Sequence, residues 1–64
     1  MKLKEMREKR GLTQAELADR AGIKIGTYRM YEQGVKDINK AAAISVYRLA
    51  QVLRCAVEDL LEMP

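Results

Sequence analysis

The chain has 64 residues, 48% of them apolar, with 12 Lys/Arg against 9 Asp/Glu, one Cys and no His. That length suits one small domain over residues 1–64, near the lower limit for folding without staples. One Cys excludes an intramolecular disulfide and fits a reducing, cytoplasmic setting. No apolar run is long enough to span a bilayer, and the basic start lacks the apolar stretch of a secretion signal.

The first helix is expected over about residues 2–10, with Leu3 and Met6 turned to the core and Gly11 ending it. Thr13 followed by Glu16 forms a capping box that satisfies two orphan amides at the start of a second helix, 14–21. Leu17, Ala18 and Ala21 give that helix its buried face, and Gly22 supplies the left-handed residue that stops it. A third helix is expected over 24–33, with Ile23 entering the core, Tyr28 and Tyr31 at helical spacing, and Gly34 closing it. The run Ile23 to Tyr28 alternates like a strand, yet in a helical chain such a strand has nothing to pair with, so helix is the consistent reading. Lys24 stands where a capping Ser or Thr is expected, and Gly26 inside the helix costs about 1 kcal/mol against Ala. Tertiary packing must therefore hold this helix.

Val35 to Lys40 reads as a polar connection with room for a short helical turn. Val46, Leu49, Ala50 and Leu53 then form an i, i+3, i+4, i+7 stripe for a helix over about 42–54. Val57, Leu60 and Leu61 define a last short helix, with Glu58 and Asp59 in its first turn. The fold class is all-α: five short helices around one core. Helices 2 and 3, joined by a short Gly-containing turn, make a helix-turn-helix, whose second helix usually enters the major groove of DNA.

Charge is uneven in the same sense. Residues 1–40 hold ten Lys/Arg and six Asp/Glu, and residues 41–64 hold two and three, giving +4 against −1. Enzyme readings fail on inventory. With no His, one Ser (Ser45) and one Cys (Cys55), no Ser-His-Asp or Cys-His site can be built, so no catalytic residue is assigned. Cys55 reads as a small core residue. Glu58, Asp59 and Glu62 read as a solvated helix face, and no metal or cofactor is expected. The glycines at 22 and 26 lack the Lys-Ser/Thr ending of a phosphate loop.

From Leu3 to Leu61 the chain resembles the Cro/phage-repressor-type helix-turn-helix domains, the Xre family. The resemblance is carried by LKEMREKRGLTQAELADRAGI, by YEQG closing the third helix, and by LAQVL with VEDLLE at the end. It implies double-stranded DNA as the partner. Gln14 takes the position of a Gln that touches a DNA phosphate and braces the recognition helix. Arg7 and Glu32 take those of a partly buried salt bridge. Lys24, Thr27, Lys36 and Lys40 fall on positions that meet the backbone or groove wall. Ile25, Gly26, Arg29, Met30 and Gln33 fall on positions that face bases.

Departures from the family pattern are informative. Ile25, Gly26 and Met30 stand where relatives often carry Arg, Gln or Ser readers, and none can make bidentate hydrogen bonds to a base edge. Two readings follow: apolar contact to thymine methyls combined with DNA shape, or a surface adapted to a protein partner. Arg54 and Ala56 stand where relatives usually have Gly and Ser or Thr, which bears on helix ends. The expected function is a sequence-specific transcriptional regulator, a small bacterial or prophage repressor. It is expected to act as a homodimer on half-sites ~34 Å apart, with Tyr47, Leu61 and Met63 as candidate dimer contacts. The alternative is a protein-interaction module on the same scaffold, antitoxin-like or an accessory subunit. No small-molecule substrate and no membrane are expected.

Overall fold

The computed structural model describes residues 2–61, in which four α-helices and two 3₁₀ turns follow one another with no strand among them. They are α1 (Lys2–Lys9), α2 (Gln14–Ala21), α3 (Ile25–Gln33), a 3₁₀ turn (Ile38–Lys40), α4 (Ala43–Leu53) and a second 3₁₀ turn (Val57–Asp59). The all-helical, helix-turn-helix expectation holds, with one correction. The expected fifth helix is a single 3₁₀ turn among the described residues, closed by Asp59 N–H to the Ala56 carbonyl at 3.0 Å and Leu60 N–H to the Val57 carbonyl at 3.0 Å. The reason is local. Ala56 has no side-chain oxygen to cap the turn. Only half of a capping box forms, with Ala56 N–H donating to Asp59 Oδ2 at 3.1 Å. The Glu62 and Met63 assignments lie outside the described residues.

The start of α2 has the full box: Glu16 N–H donates to Thr13 Oγ1 at 3.0 Å, and Thr13 N–H to Glu16 Oε1 at 2.9 Å. All four helices stop alike. An amide beyond each end returns to a carbonyl five residues back: Leu12 to Arg7, Ile23 to Ala18, Val35 to Met30 and Cys55 to Ala50. This closure needs a left-handed residue one position earlier. Three of the four are glycines, Gly11, Gly22 and Gly34; the fourth is Arg54 at φ 55°. The Arg10 guanidinium covers this last helix end, donating from Nε to the Leu53 carbonyl at 2.7 Å and from Nη2 to the Arg54 carbonyl at 3.4 Å. A cation at a helix C-terminus also suits the helix dipole.

The core is built from Leu3, Leu17, Ala18, Ala21, Tyr28, Ile38, Val46, Leu49, Ala50, Leu53 and Leu60, with α2 packed chiefly on α3 and α4. Ile38 is the surprise, since it lies in the connection read as polar. The Asp37 side chain accepts from Asn39 N–H at 2.9 Å and starts the 3₁₀ turn in which Ile38 is buried. Cys55 is half-buried and packs against the core, and burial followed by the nearby Asp59 pushes its thiol pKa up. A protonated, core-packed thiol is a poor nucleophile.

A non-glycine residue in the left-handed region costs about 1 kcal/mol or more. Arg54→Gly is expected to recover most of that, raising the melting temperature by about 4–8 °C in a domain this small, because both carbonyls that Arg10 binds are retained. Thermal denaturation of the two proteins checks it; an unchanged or lower midpoint would contradict the strain at residue 54.

Candidate nucleic-acid interface

In α3, Tyr28 and Glu32 are four residues apart and so share a face, and both are buried. Burying a carboxylate is costly unless its oxygens are hydrogen-bonded. Here both are. Arg7 of α1 donates to Glu32 Oε2 from Nε at 2.7 Å and to Oε1 from Nη2 at 3.3 Å. Gln14 Nε2, from the start of α2, reaches Oε1 at 3.1 Å, and the Tyr28 hydroxyl donates to Oε2. Arg7 also donates from Nη1 to the Leu12 carbonyl at 2.8 Å, in the link between α1 and α2. The carboxylate thus ties three helices together, with Glu32 only 8% exposed. Among the described residues no buried side-chain nitrogen or oxygen lacks a partner.

Burial pushes the Glu32 carboxyl up, but hydrogen bonds from Arg7, Tyr28 and Gln14, with the Arg7 charge, outweigh it and hold the group below its ordinary value. The Arg7 guanidinium is raised, chiefly through its hydrogen bond to Glu32. Burial and then the bond to Glu32 keep the Tyr28 phenol protonated far above the usual tyrosine range. Removing one partner of a buried ion pair costs about 3–5 kcal/mol, comparable with the whole stability that one small core supplies.

With Tyr28 and Glu32 turned inward, the opposite side of α3 is set by geometry. Gly26, Arg29, Met30 and Gln33 stand at i, i+3, i+4 and i+7, which makes one stripe. All four are exposed, and Met30 is 39% accessible. These are four of the five positions that the resemblance assigns to base contact. The fifth, Ile25, flanks the stripe half-buried and packs against the core, which leaves only part of its side chain outward. Thr27 flanks the other edge, half-buried. Lys24 is the residue before the first turn of α3 and makes no side-chain cap. It is exposed, as are Lys36 and Lys40 in the connection beyond. Gln14 is half-buried, and Arg29 Nε donates to its Oε1 at 3.3 Å.

Two further features bear on this face. Gly22, in the turn between α2 and α3, has φ 69°, and an added Cβ would lie 3.1 Å from Arg48 Nη1 of α4. The turn is therefore closed both by backbone conformation and by a side chain laid over it. At Gly26 a Cβ would meet nothing within 4 Å. Sequence reasoning placed Tyr28 only by its helical spacing with Tyr31 and missed its hydroxyl as a donor to Glu32; the four-residue spacing of Tyr28 and Glu32 was the available signal. Of the candidate dimer residues, Tyr47 is exposed and accepts from Gln51 Nε2 at 3.1 Å, Leu61 packs half-buried on the core, and Met63 lies outside the described residues.

Because the folded-state pKa of Glu32 lies below its ordinary value of 4.5, its stabilising contribution is complete above that pH and is lost as pH falls through the folded pKa. Glu16, held low first by its bond from the Thr13 amide, acts in the same direction. Urea denaturation between about pH 3 and pH 6 is expected to show stability falling on the acid side, with a shallower fall in Glu32→Gln. Parallel curves for the two proteins would contradict the assignment.

Among the described residues, no helix is long and apolar enough to cross a membrane, and no three His, Cys, Asp or Glu side chains form a group that could hold a metal ion. Comparison with curated proteins finds no matching relative. A helix-turn-helix family model matches residues 3–60 of the 64, so nearly all of the described chain carries the family pattern. The chain belongs to the Cro/phage-repressor-type, or Xre, helix-turn-helix family of DNA-binding regulators.

Proposed function

We propose that the protein is a sequence-specific transcription regulator, a small bacterial or prophage repressor that works in the cytoplasm as a homodimer on paired half-sites. The observation that carries this reading is the exposed stripe of α3. Gly26, Arg29, Met30 and Gln33 share one face with no acidic residue among them, while Glu32 is turned inward and neutralised by Arg7. A polyanion meets only neutral and cationic groups there. Base-edge contact is assigned to Ile25, Gly26, Arg29, Met30 and Gln33. Backbone contact is assigned to Gln14, Lys24, Thr27, Lys36 and Lys40. Arg29 is the charged reader. Met30 and the exposed part of Ile25 suit thymine methyls.

The homodimer follows from size. One short helix reads few base pairs, and duplicating it about one helical turn away is the economical route to affinity. Met30 at 39% exposure and Val35 at 70% also give some support to a protein partner on this scaffold. That alternative predicts tight association that survives high salt and ignores duplex sequence.

Two substitutions test the assignment. Each lost Lys–phosphate contact flattens the plot of log affinity against log salt by about 0.9. Lys36→Ala and Lys40→Ala are each expected to do so for every duplex tested; unchanged slopes in both would remove them from the backbone contacts. Gly26→Ala is expected to raise stability by about 0.5–1 kcal/mol, because the free protein has space for the methyl. The same methyl is expected to weaken DNA binding by obstructing close backbone approach. Melting and binding measurements read the two effects separately, and undiminished binding would place Gly26 away from the DNA.

A further inference from the structure

None of the nine acidic residues of the chain lies between residues 38 and 57, and α4 occupies the middle of that stretch. Its inner side, Val46, Leu49, Ala50 and Leu53, is buried in the core. Its outer side carries Ile44, Tyr47 and Gln51 at i, i+3 and i+7, with Arg48 along one edge, and all four are exposed. Ile44 is 54% accessible and Tyr47 52%. Single apolar residues on a surface are ordinary, but the charge around these two is not. The exposed faces of α1 and α2 mix acids with their cations, through Glu5, Glu8, Glu16 and Asp19, and the face of α4 has no acid at all. Arg48 makes no ion pair among the described residues, where Arg7 and Glu32 form the one present. The Tyr47 ring is steadied by Gln51 Nε2, which donates to its hydroxyl at 3.1 Å. An exposed ring already held in place loses less freedom when something covers it.

We propose that the outer face of α4 docks an acidic, amphipathic segment of another protein, with Ile44 and Tyr47 meeting its apolar side chains and Arg48 a carboxylate. Charge decides among the occupants. A second copy meeting this face with its own α4 brings no carboxylate, and places two Arg48 cations on one small surface. DNA brings anions, but its backbone offers no apolar surface to cover Ile44 and Tyr47. An acidic, amphipathic segment supplies both, and a guanidinium can grip a carboxylate through two parallel hydrogen bonds. A Tyr beside an Arg is also the composition that dominates interface energies. The α4 face serves this role whether or not α3 faces DNA.

The probe is a displayed library of random peptides, each about four helical turns long, selected against the full chain and separately against Arg48→Glu. Wild type is expected to enrich peptides with Asp or Glu within one turn of Leu, Ile, Phe or Trp, and Arg48→Glu to enrich Lys or Arg in their place. For a peptide selected on wild type, Tyr47→Ala and Arg48→Glu are each expected to weaken binding by about tenfold or more. Lys4→Glu makes the same charge change on α1 and is expected to leave that affinity nearly unchanged. The substituted side chains are exposed, and melting first shows each variant to be folded. No enrichment on wild type, the same acidic peptides enriched on Arg48→Glu, or an equal loss in Lys4→Glu would each overturn the proposal. So would self-association in sedimentation that Tyr47→Ala abolishes, which gives the face to a second copy. Duplex affinity lost in Arg48→Glu but kept in Lys4→Glu would give it to DNA and overturn the proposal as well.

Discussion

The Glu32 carboxylate is the constraint on which the arrangement of the first three helices depends. It sits in α3, is nearly inaccessible, and accepts hydrogen bonds from Arg7 in α1, Gln14 in α2 and Tyr28 one turn earlier in its own helix. A buried charge is tolerated only when its partners are all in place, so those donors have to be brought together for the fold to form. Apolar packing alone is less particular about register. For α3 this matters more than elsewhere, because the helix has no side-chain cap at Lys24 and a glycine at its second position. Its own propensity is weak, and the polar hub and the buried Tyr28 ring set its rotation. Setting that rotation also sets which residues of α3 face outward.

The rest of the fold serves this helix from behind. Four helix ends close by the same backbone pattern, which keeps the links short and the helices near each other. Arg48 lies over Gly22 at the turn between α2 and α3, and Arg10 covers the end of α4, where Arg54 takes the left-handed place. A domain of this size has little stability to spare, so the strain at Arg54 and the missing oxygen at Ala56 are appreciable. Both lie at the far end of the chain from the α3 stripe, and neither bears on its chemistry.

Much of this was legible in the sequence because the signals were local. The Thr13–Glu16 box, the stopping glycines at 11, 22 and 34, and the Val46–Leu53 stripe each depend on residues within a turn or two, and they set α1 to α4 to within a residue at most ends. What stayed hidden was non-local. Ile38 lies among polar neighbours and is buried by a turn that Asp37 caps, which apolar periodicity does not register. The end of the chain carried a helical pattern in Val57, Leu60 and Leu61, but without a capping oxygen at residue 56 it forms only a 3₁₀ turn among the described residues. The pairing of Arg7 with Glu32 came from resemblance rather than from spacing. Tyr28 and Arg29 as further members of the same network required side-chain geometry.

The most direct test of the central claim is a titration of isotope-labelled protein with duplex DNA, followed by amide chemical shifts. If the hub at Glu32 exists to present α3 to DNA, the perturbed amides will cluster at the start of α2 around Gln14, along the α3 stripe and through Lys36 to Lys40, while the outer face of α4 around Tyr47 stays still. Perturbations confined to α4, or none on α3 at saturating DNA, would contradict the account.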